Sequence, residues 1–179
     1  MKINEYWKTE ELTVRRATYA DKDRLKEICS SWENKTELEG EEFPDSYIED
    51  CLTEGDLPPV HNADKSNYYL MVIEDTDNRV VGFFDIYHGY PDENTLWIGM
   101  YVIDKNSQGK SYGRESIQEF TRQAQSAGWK ALGLAVYMKN WKGLRFWQKN
   151  GFDKIIGIYG EKEYGSNSFA IMGLRKELI

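Results

Sequence analysis

Between a β-rich run, Thr95 to Ile103, and a helical pattern that begins near Gly113 stands the segment Gln108-Gly109-Lys110-Ser111-Tyr112-Gly113. It constrains the fold more than any other stretch, because it fixes how a strand hands the chain to a helix. Gly113, Ile117, Phe120, Ala124 and Ala127 recur every three or four positions, one face of a helix that Gly128 closes. Two glycines with a lysine and a serine at that helix start turn several backbone N–H groups outward beside the positive end of the dipole. Such a turn can cradle a diphosphate. Glycines also serve merely to turn a chain, and the segment alone does not separate the two uses. Gly109-Lys110-Ser111 further invites comparison with a nucleotide-triphosphatase loop, but the earlier glycine such a loop needs is Asp104, which excludes it.

Upstream, Leu12 to Thr18 reads as a strand, and Thr18 with Asp21 forms a T-x-x-D helix start. Leu25, Ile28, Cys29 and Trp32 then share one helical face. A second short helix runs from Pro44 through Tyr47, Ile48, Cys51 and Leu52 to Gly55, followed by a proline-bearing loop from Leu57 to Asn67. Tyr68 to Ile73 and Arg79 to Tyr87 are strands joined by the hairpin signal Asp75-Thr76-Asp77-Asn78. Downstream come a strand from Ala131 to Tyr137, a short helix from Trp141 to Lys149 closed by Gly151, and a strand pair, Phe152 to Gly160 and Asn167 to Leu174. The order predicts one α/β (α+β) domain over residues 1–179, with a mixed, mostly antiparallel seven-stranded sheet and helices on both faces. On the strand from Ala131, one face carries Leu132, Leu134 and Val136, while the other carries Ala131, Gly133, Ala135 and Tyr137; Gly99 thins the neighbouring strand likewise. That thin patch leaves room either for a ligand or for a packed aromatic ring or helix.

Composition narrows the function classes. With 40% apolar and 30% charged residues in 179, the chain is that of a globular protein. A formal charge of −7 argues against a nucleic-acid partner, which needs a basic face, and favours a cationic one. No apolar run reaches the length of a membrane span, and the start, MKINEYWKTEEL, lacks the apolar core of a secretory signal, so a cytoplasmic location without membrane contact is expected. Cys29 and Cys51 are read as buried thiols on apolar helix faces. With only His61 and His88 beside them, no metal site is expected.

One strand after the cradle comes Asn140-Trp141-Lys142-Gly143-Leu144-Arg145-Phe146-Trp147-Gln148-Lys149-Asn150-Gly151-Phe152. The two segments together resemble the GNAT superfamily of acetyl-CoA-dependent N-acetyltransferases, with its Q/R-x-x-G-x-G/A and N-x-x-A-x-x-F-Y-x-x-x-G-F patterns. Arg16-Ala17-Thr18 with Asp21 is similar to the family's first strand and helix start. The resemblance implies acetyl-CoA as donor cosubstrate. Tyr101, Val102 and Ile103 would pair with its pantetheine arm, and the amides of Gln108, Gly109, Lys110, Ser111, Tyr112, Gly113 and Arg114 would hold its diphosphate. Asn140 would touch the arm, and Trp147 is counted with the cofactor-binding residues. Ser111 replaces a usual glycine and must adopt a suitable φ; Asn140 could equally be a helix N-cap.

Acetyl transfer needs a neutral amine, a polarised carbonyl and a proton for the departing thiolate. A strand amide near Val102 or Ile103 would polarise the carbonyl. The family's proton-donating tyrosine is Trp147 here, and an indole N–H does not supply that proton. Tyr137 is the candidate substitute, or else a rim residue. Asp85 is the candidate base, or else a solvent-facing residue between Phe84 and Ile86. The expected reaction is direct transfer to a primary amine of a small molecule in a ternary complex. Glu37, Glu39, Glu41, Glu42, Asp45, Glu49 and Asp50 suggest a cationic acceptor, or else a solvated acidic face. Two alternatives remain open: a non-catalytic acyl-CoA sensor of the same fold, and an acetyltransferase acting on protein N-termini or lysines. The C-terminal strands could pair two copies into a homodimer.

Overall fold

The computed structural model describes residues 1–178. A short hairpin opens the chain: β1 (Tyr6–Lys8) turns at Thr9, whose backbone N–H reaches Leu12 O, into β2 (Thr13–Arg16). Thr18 and Asp21 close a reciprocal capping box ahead of α1 (Lys22–Ser30), as the T-x-x-D signal predicts. Two helices follow, α2 (Lys35–Glu39) and α3 (Tyr47–Thr53). The sheet continues through β3 (Tyr68–Glu74), β4 (Val80–His88) and β5 (Thr95–Ile103). After the glycine turn come α4 (Tyr112–Ser126), β6 (Ala131–Tyr137), α5 (Trp141–Lys149), β7 (Lys154–Gly160) and β8 (Ala170–Glu177).

The strands form a single sheet in the order β1-β2-β3-β4-β5-β6-β8-β7, antiparallel throughout except for the β5–β6 pair. The count is eight where seven were expected. The added strand, β1, is only three residues long, too short to show a period of two, and its pairing Trp7↔Val14 buries Trp7. Helix α2 was likewise not anticipated, because Lys35-Thr36-Glu37-Leu38-Glu39 has no apolar stripe; its buried Lys35 pairs with Glu39 and donates to Glu41 O.

Strand alternation divides the core into two clusters, one on each face. Phe84, Ile86, Leu132, Leu134 and Val136 pack with Ile117, Phe120 and Ala124 of α4 and Trp147 of α5. On the opposite face Leu70, Val72, Phe83 and Tyr87 pack with Leu25, Ile28 and Cys29 of α1 and Ile48 and Cys51 of α3. Helices thus cover both faces.

Candidate active site

The parallel pairing of β5 with β6 covers only four residue pairs, Thr95↔Ala131 to Ile98↔Leu134. Beyond them the two strands part. Gly99 to Ile103 stay bound to β4 on one side and show their other edge unpaired to the gap. An edge of free amides and carbonyls beside a gap suits the insertion of an extended amide-bearing chain. The parting begins at a bulge, where Gly99 and Met100 together face the single residue Asp85.

The glycine turn lies at the far end of this edge. Gly109 (φ +82°) and Ser111 (φ +68°) are both left-handed, which rolls successive amides toward one side immediately before the 15-residue α4. A left-handed serine is a strained choice, and its side chain caps nothing in the fold. The helix start is pinned from below. Tyr101 Oη donates to Gly113 O at 3.2 Å and lies 2.6 Å from Ser116 Oγ. A Cβ at Gly113 would already crowd Phe146 at 3.3 Å. Lys142 Nζ donates to Gln108 Oε1 at 2.9 Å and Gln108 Nε2 to Ile103 O at 3.1 Å, tying α5 and β5 to the turn. Glu115, the acid of the first turn, accepts from Thr9 and from the Glu11 amide. Lys110, Arg114 and Arg145 form no ion pair among the described residues. A diphosphate fits this turn: exposed amides at a helix start, nearby free cations, and the one neighbouring acid already engaged.

Asp85 projects from the bulge to the α1–α3 face. It is 1% exposed, so the solvent-facing reading of its strand position is corrected. The alternation of Phe84 and Ile86 holds, but the face opposite them is itself covered by α1 and α3. Oδ1 accepts from the amides of Gly99 (3.0 Å) and Met100 (3.1 Å), while Oδ2 has no partner. Burial, reinforced by Asp56, pushes the carboxyl up to about 8, although the two amides favour its charged form. The Tyr68 hydroxyl also favours the charged form, but neither it nor the Tyr47 hydroxyl completes a hydrogen bond of normal geometry. Asp85 floors a cavity of about 200 Å³ walled by the Asp56–Pro59 loop, Tyr87, Tyr90 and Trp97 and reaching Gly99 at the strand parting.

Several expectations shift here. The thin sheet patch is filled by protein at Gly133, where a Cβ would lie 2.7 Å from the Trp97 ring. Gly99 and Ala135 stay exposed, although a Cβ at Gly99 would lie 2.3 Å from Asp85 Oδ1. Asn140 is the N-cap of α5, accepting from Gly143 N at 2.8 Å, and a side chain at Gly143 would collide with that cap. Trp147, 7% exposed, lies in the core against Tyr101, Phe146 and Phe152. The indole packs edge-on against Tyr101. Tyr137 stands at the open end of β6 with its ring edge on Phe169; burial and then Glu39 and Glu41 hold its hydroxyl above the ordinary range. That makes it a poor donor to a thiolate. Of the acidic stretch 37–50, Glu39 pairs with Lys35, Glu49 with Lys22, and none lines the cavity. Burial pushes both cysteine thiols up to about 12, so neither serves as a nucleophile near neutral pH. Sequence reading missed Asp56, Tyr87, Tyr90 and Trp97, which come from separate segments with no shared motif.

A sheet parted beside a helix start that fits a diphosphate, with a buried acid on β4 behind the parting strand, suits a transferase fed by a coenzyme thioester. The model of the acetyltransferase (GNAT) family matches residues 28–152. A protein of Bacillus subtilis (strain 168) named "Putative phosphinothricin acetyltransferase YwnH" is 28% identical over 144 residues, 74% of this chain and 88% of the relative. "Probable spermine N(1)-acetyltransferase" of Bacillus subtilis subsp. natto (strain BEST195) is 27% identical over 116 residues, 60% and 71% of the two chains. The same fold occurs in the crystal structure of spermidine N-acetyltransferase from Vibrio cholerae in complex with CoA and spermine, with a TM-score of 0.72 at 16% identity over 95% of this chain and 97% of that one. The chain belongs to the GNAT family of acetyl-CoA-dependent N-acetyltransferases.

Proposed function

We propose that the protein transfers the acetyl group of acetyl-CoA directly to a primary amine of a small molecule, both substrates being bound at once. The observation that carries this is Asp85 Oδ2, buried and unpartnered at the floor of a cavity that meets the parting of β5 and β6. The amides of Gln108 to Arg114 hold the diphosphate, and the free edge at Tyr101, Val102 and Ile103 aligns the pantetheine arm like an added strand. Bound acetyl-CoA supplies an electrophilic thioester carbonyl. Asp85 takes the proton of the incoming ammonium, so that nitrogen bonds to carbon as the carbon–sulfur bond breaks. The nitrogen sheds its second proton as it becomes the amide, and the thiolate, whose ordinary pKa is about 8.5, takes up that proton through water. Tyr137 stands as a rim residue at the thiol end. Asn140 and Trp147 act by position, the first by starting α5 and the second by backing Tyr101.

Residues 1–179 are read as one catalytic domain working in the cytoplasm. Among the described residues no helix is long and apolar enough to cross a membrane, and no cluster of His, Cys, Asp and Glu could hold a metal ion. The test is thiol release from acetyl-CoA across a panel of primary amines, with calorimetry for acetyl-CoA itself. Donor binding with saturable, amine-dependent release is expected. Absence of both would overturn the reading.

A further inference from the structure

The cavity beside Asp85 has a charge pattern that sorts acceptors. This inference rests on the acetyltransferase reading. Both of its charged groups are acids: Asp85 at the floor, with Oδ2 unpartnered, and Asp56 at the exposed rim. Among the described residues no lysine, arginine or histidine lines it. The remaining walls are Leu57, the two prolines, Tyr87, Tyr90 and Trp97, with Tyr90 set edge-on to Trp97 at 5.0 Å. An ammonium group is well served by carboxyls at both ends and aromatic faces between. An uncharged carbon body gains apolar contact, and about 200 Å³ has room for one ring or a short chain.

A carboxylate on the carbon that bears the amine fares differently. With the amine at Asp85, that anion lies within a few ångströms of a buried acid, has Asp56 on its other side, and finds no cation to pair with. Unpaired like charge rejects such an analogue directly. Of the two acceptor types in the relatives' names, a phosphinate amino acid and a polyamine, only the second is free of anionic groups.

We infer that this cavity selects compact primary amines of the form R–CH2–NH2, with R alkyl or aryl and no anionic group, and rejects α-amino acids. Asp56 is the specificity-determining residue at its rim. Matched pairs that differ only in the α-carboxylate test this: tyramine with L-tyrosine, and phenethylamine with L-phenylalanine. Thiol release reads turnover, and calorimetric titration of the same four compounds reads binding without the transfer step. The expected kcat/KM for each amine exceeds that of its amino acid by at least about 100-fold. Asp56→Asn is expected to shrink that ratio at least about five-fold by admitting the amino acid. Comparable turnover or binding of both members of a pair, or binding of neither, overturns the inference; an unchanged ratio in Asp56→Asn removes the role given to Asp56. Selective binding of the amines with no thiol release would uphold the cavity assignment and overturn the transferase reading instead.

Discussion

At Asp85 the two oxygens of one carboxyl have separate work. Oδ1 holds the two amides of the β5 bulge, and Oδ2 is left without a partner at the cavity floor. Burial raises its pKa to about 8, so the proton-accepting form grows as pH rises through that value. kcat/KM for the amine is therefore expected to climb to a plateau above pH 8. Asp85→Asn keeps an oxygen for the bulge but cannot take a proton, and should lower kcat at least about 100-fold and erase that limb. A surviving limb in the pH–rate profile would assign it to the amine. Ser111 makes the second case. Its left-handed φ of +68° costs about 1–2 kcal/mol, and its hydroxyl caps nothing. Ser111→Gly should leave the fold as stable or up to about 1 kcal/mol more stable by thermal melt. If the hydroxyl donates to a phosphate oxygen, the same change weakens acetyl-CoA about ten-fold in calorimetry; unchanged affinity would show it idle. From the sequence Ser111 was visible as a departure from a pattern, whereas the environment of Asp85 was not: its burial depends on helices that cover its face from a distant part of the chain.

At the scale of elements, periodicity was legible and partnership was not. Helix α4 and strands β3 to β6 stand within a residue or two of their expected places, because each carries a full apolar face. Strand β1 lacks that signal by brevity, whereas β7 stands where Phe152 to Gly160 was expected and β8 runs Ala170–Glu177 in place of Asn167 to Leu174. The turn at Gly109 could be located from its residues, but the parting of β5 and β6 arises from a bulge that only three-dimensional pairing reveals. The cavity at Asp85 was hidden for a similar reason, since Asp56, Asp85 and Trp97 belong to a loop and two strands. Strand β7 closes the sheet with Ile155, Ile158 and Tyr159 about 60% exposed along an unpaired edge. Such an edge is a liability in a lone chain, and we propose that a second copy covers it. Sedimentation velocity should then show a dimer that Ile158→Lys converts to monomer; a wild-type monomer at tens of micromolar rejects this homodimer.

For the whole molecule, two buried groups tilt stability against pH in opposite directions. His88, on the α4 face, accepts from the Ile3 amide through Nε2, while its Nδ1 lies 2.7 Å from Asn67 O. Burial lowers its pKa to about 4 from an ordinary 6.5. Its contribution is present above pH 6.5 and is lost as pH falls through 4. Asp85, raised from 3.8 to about 8, contributes most below pH 3.8, and that contribution is lost as pH rises through 8. Between pH 6.5 and 8 Asp85 acts without His88. In that window Asp85→Asn should flatten the fall of Tm, and at pH 8.5 it should melt about 3 °C or more above the wild type. Parallel curves in differential scanning calorimetry would contradict the raised pKa.

The bulge at Gly99 and Met100 owes its shape to the same carboxyl that we propose as the proton acceptor. Base strength and the path of the donor's docking edge are thus locked together, and neither can drift alone through change at this position. Altered appetite for new amines must come from the surrounding loop and aromatic walls, where Asp56 to Pro59 can be exchanged without disturbing the hinge of the reaction.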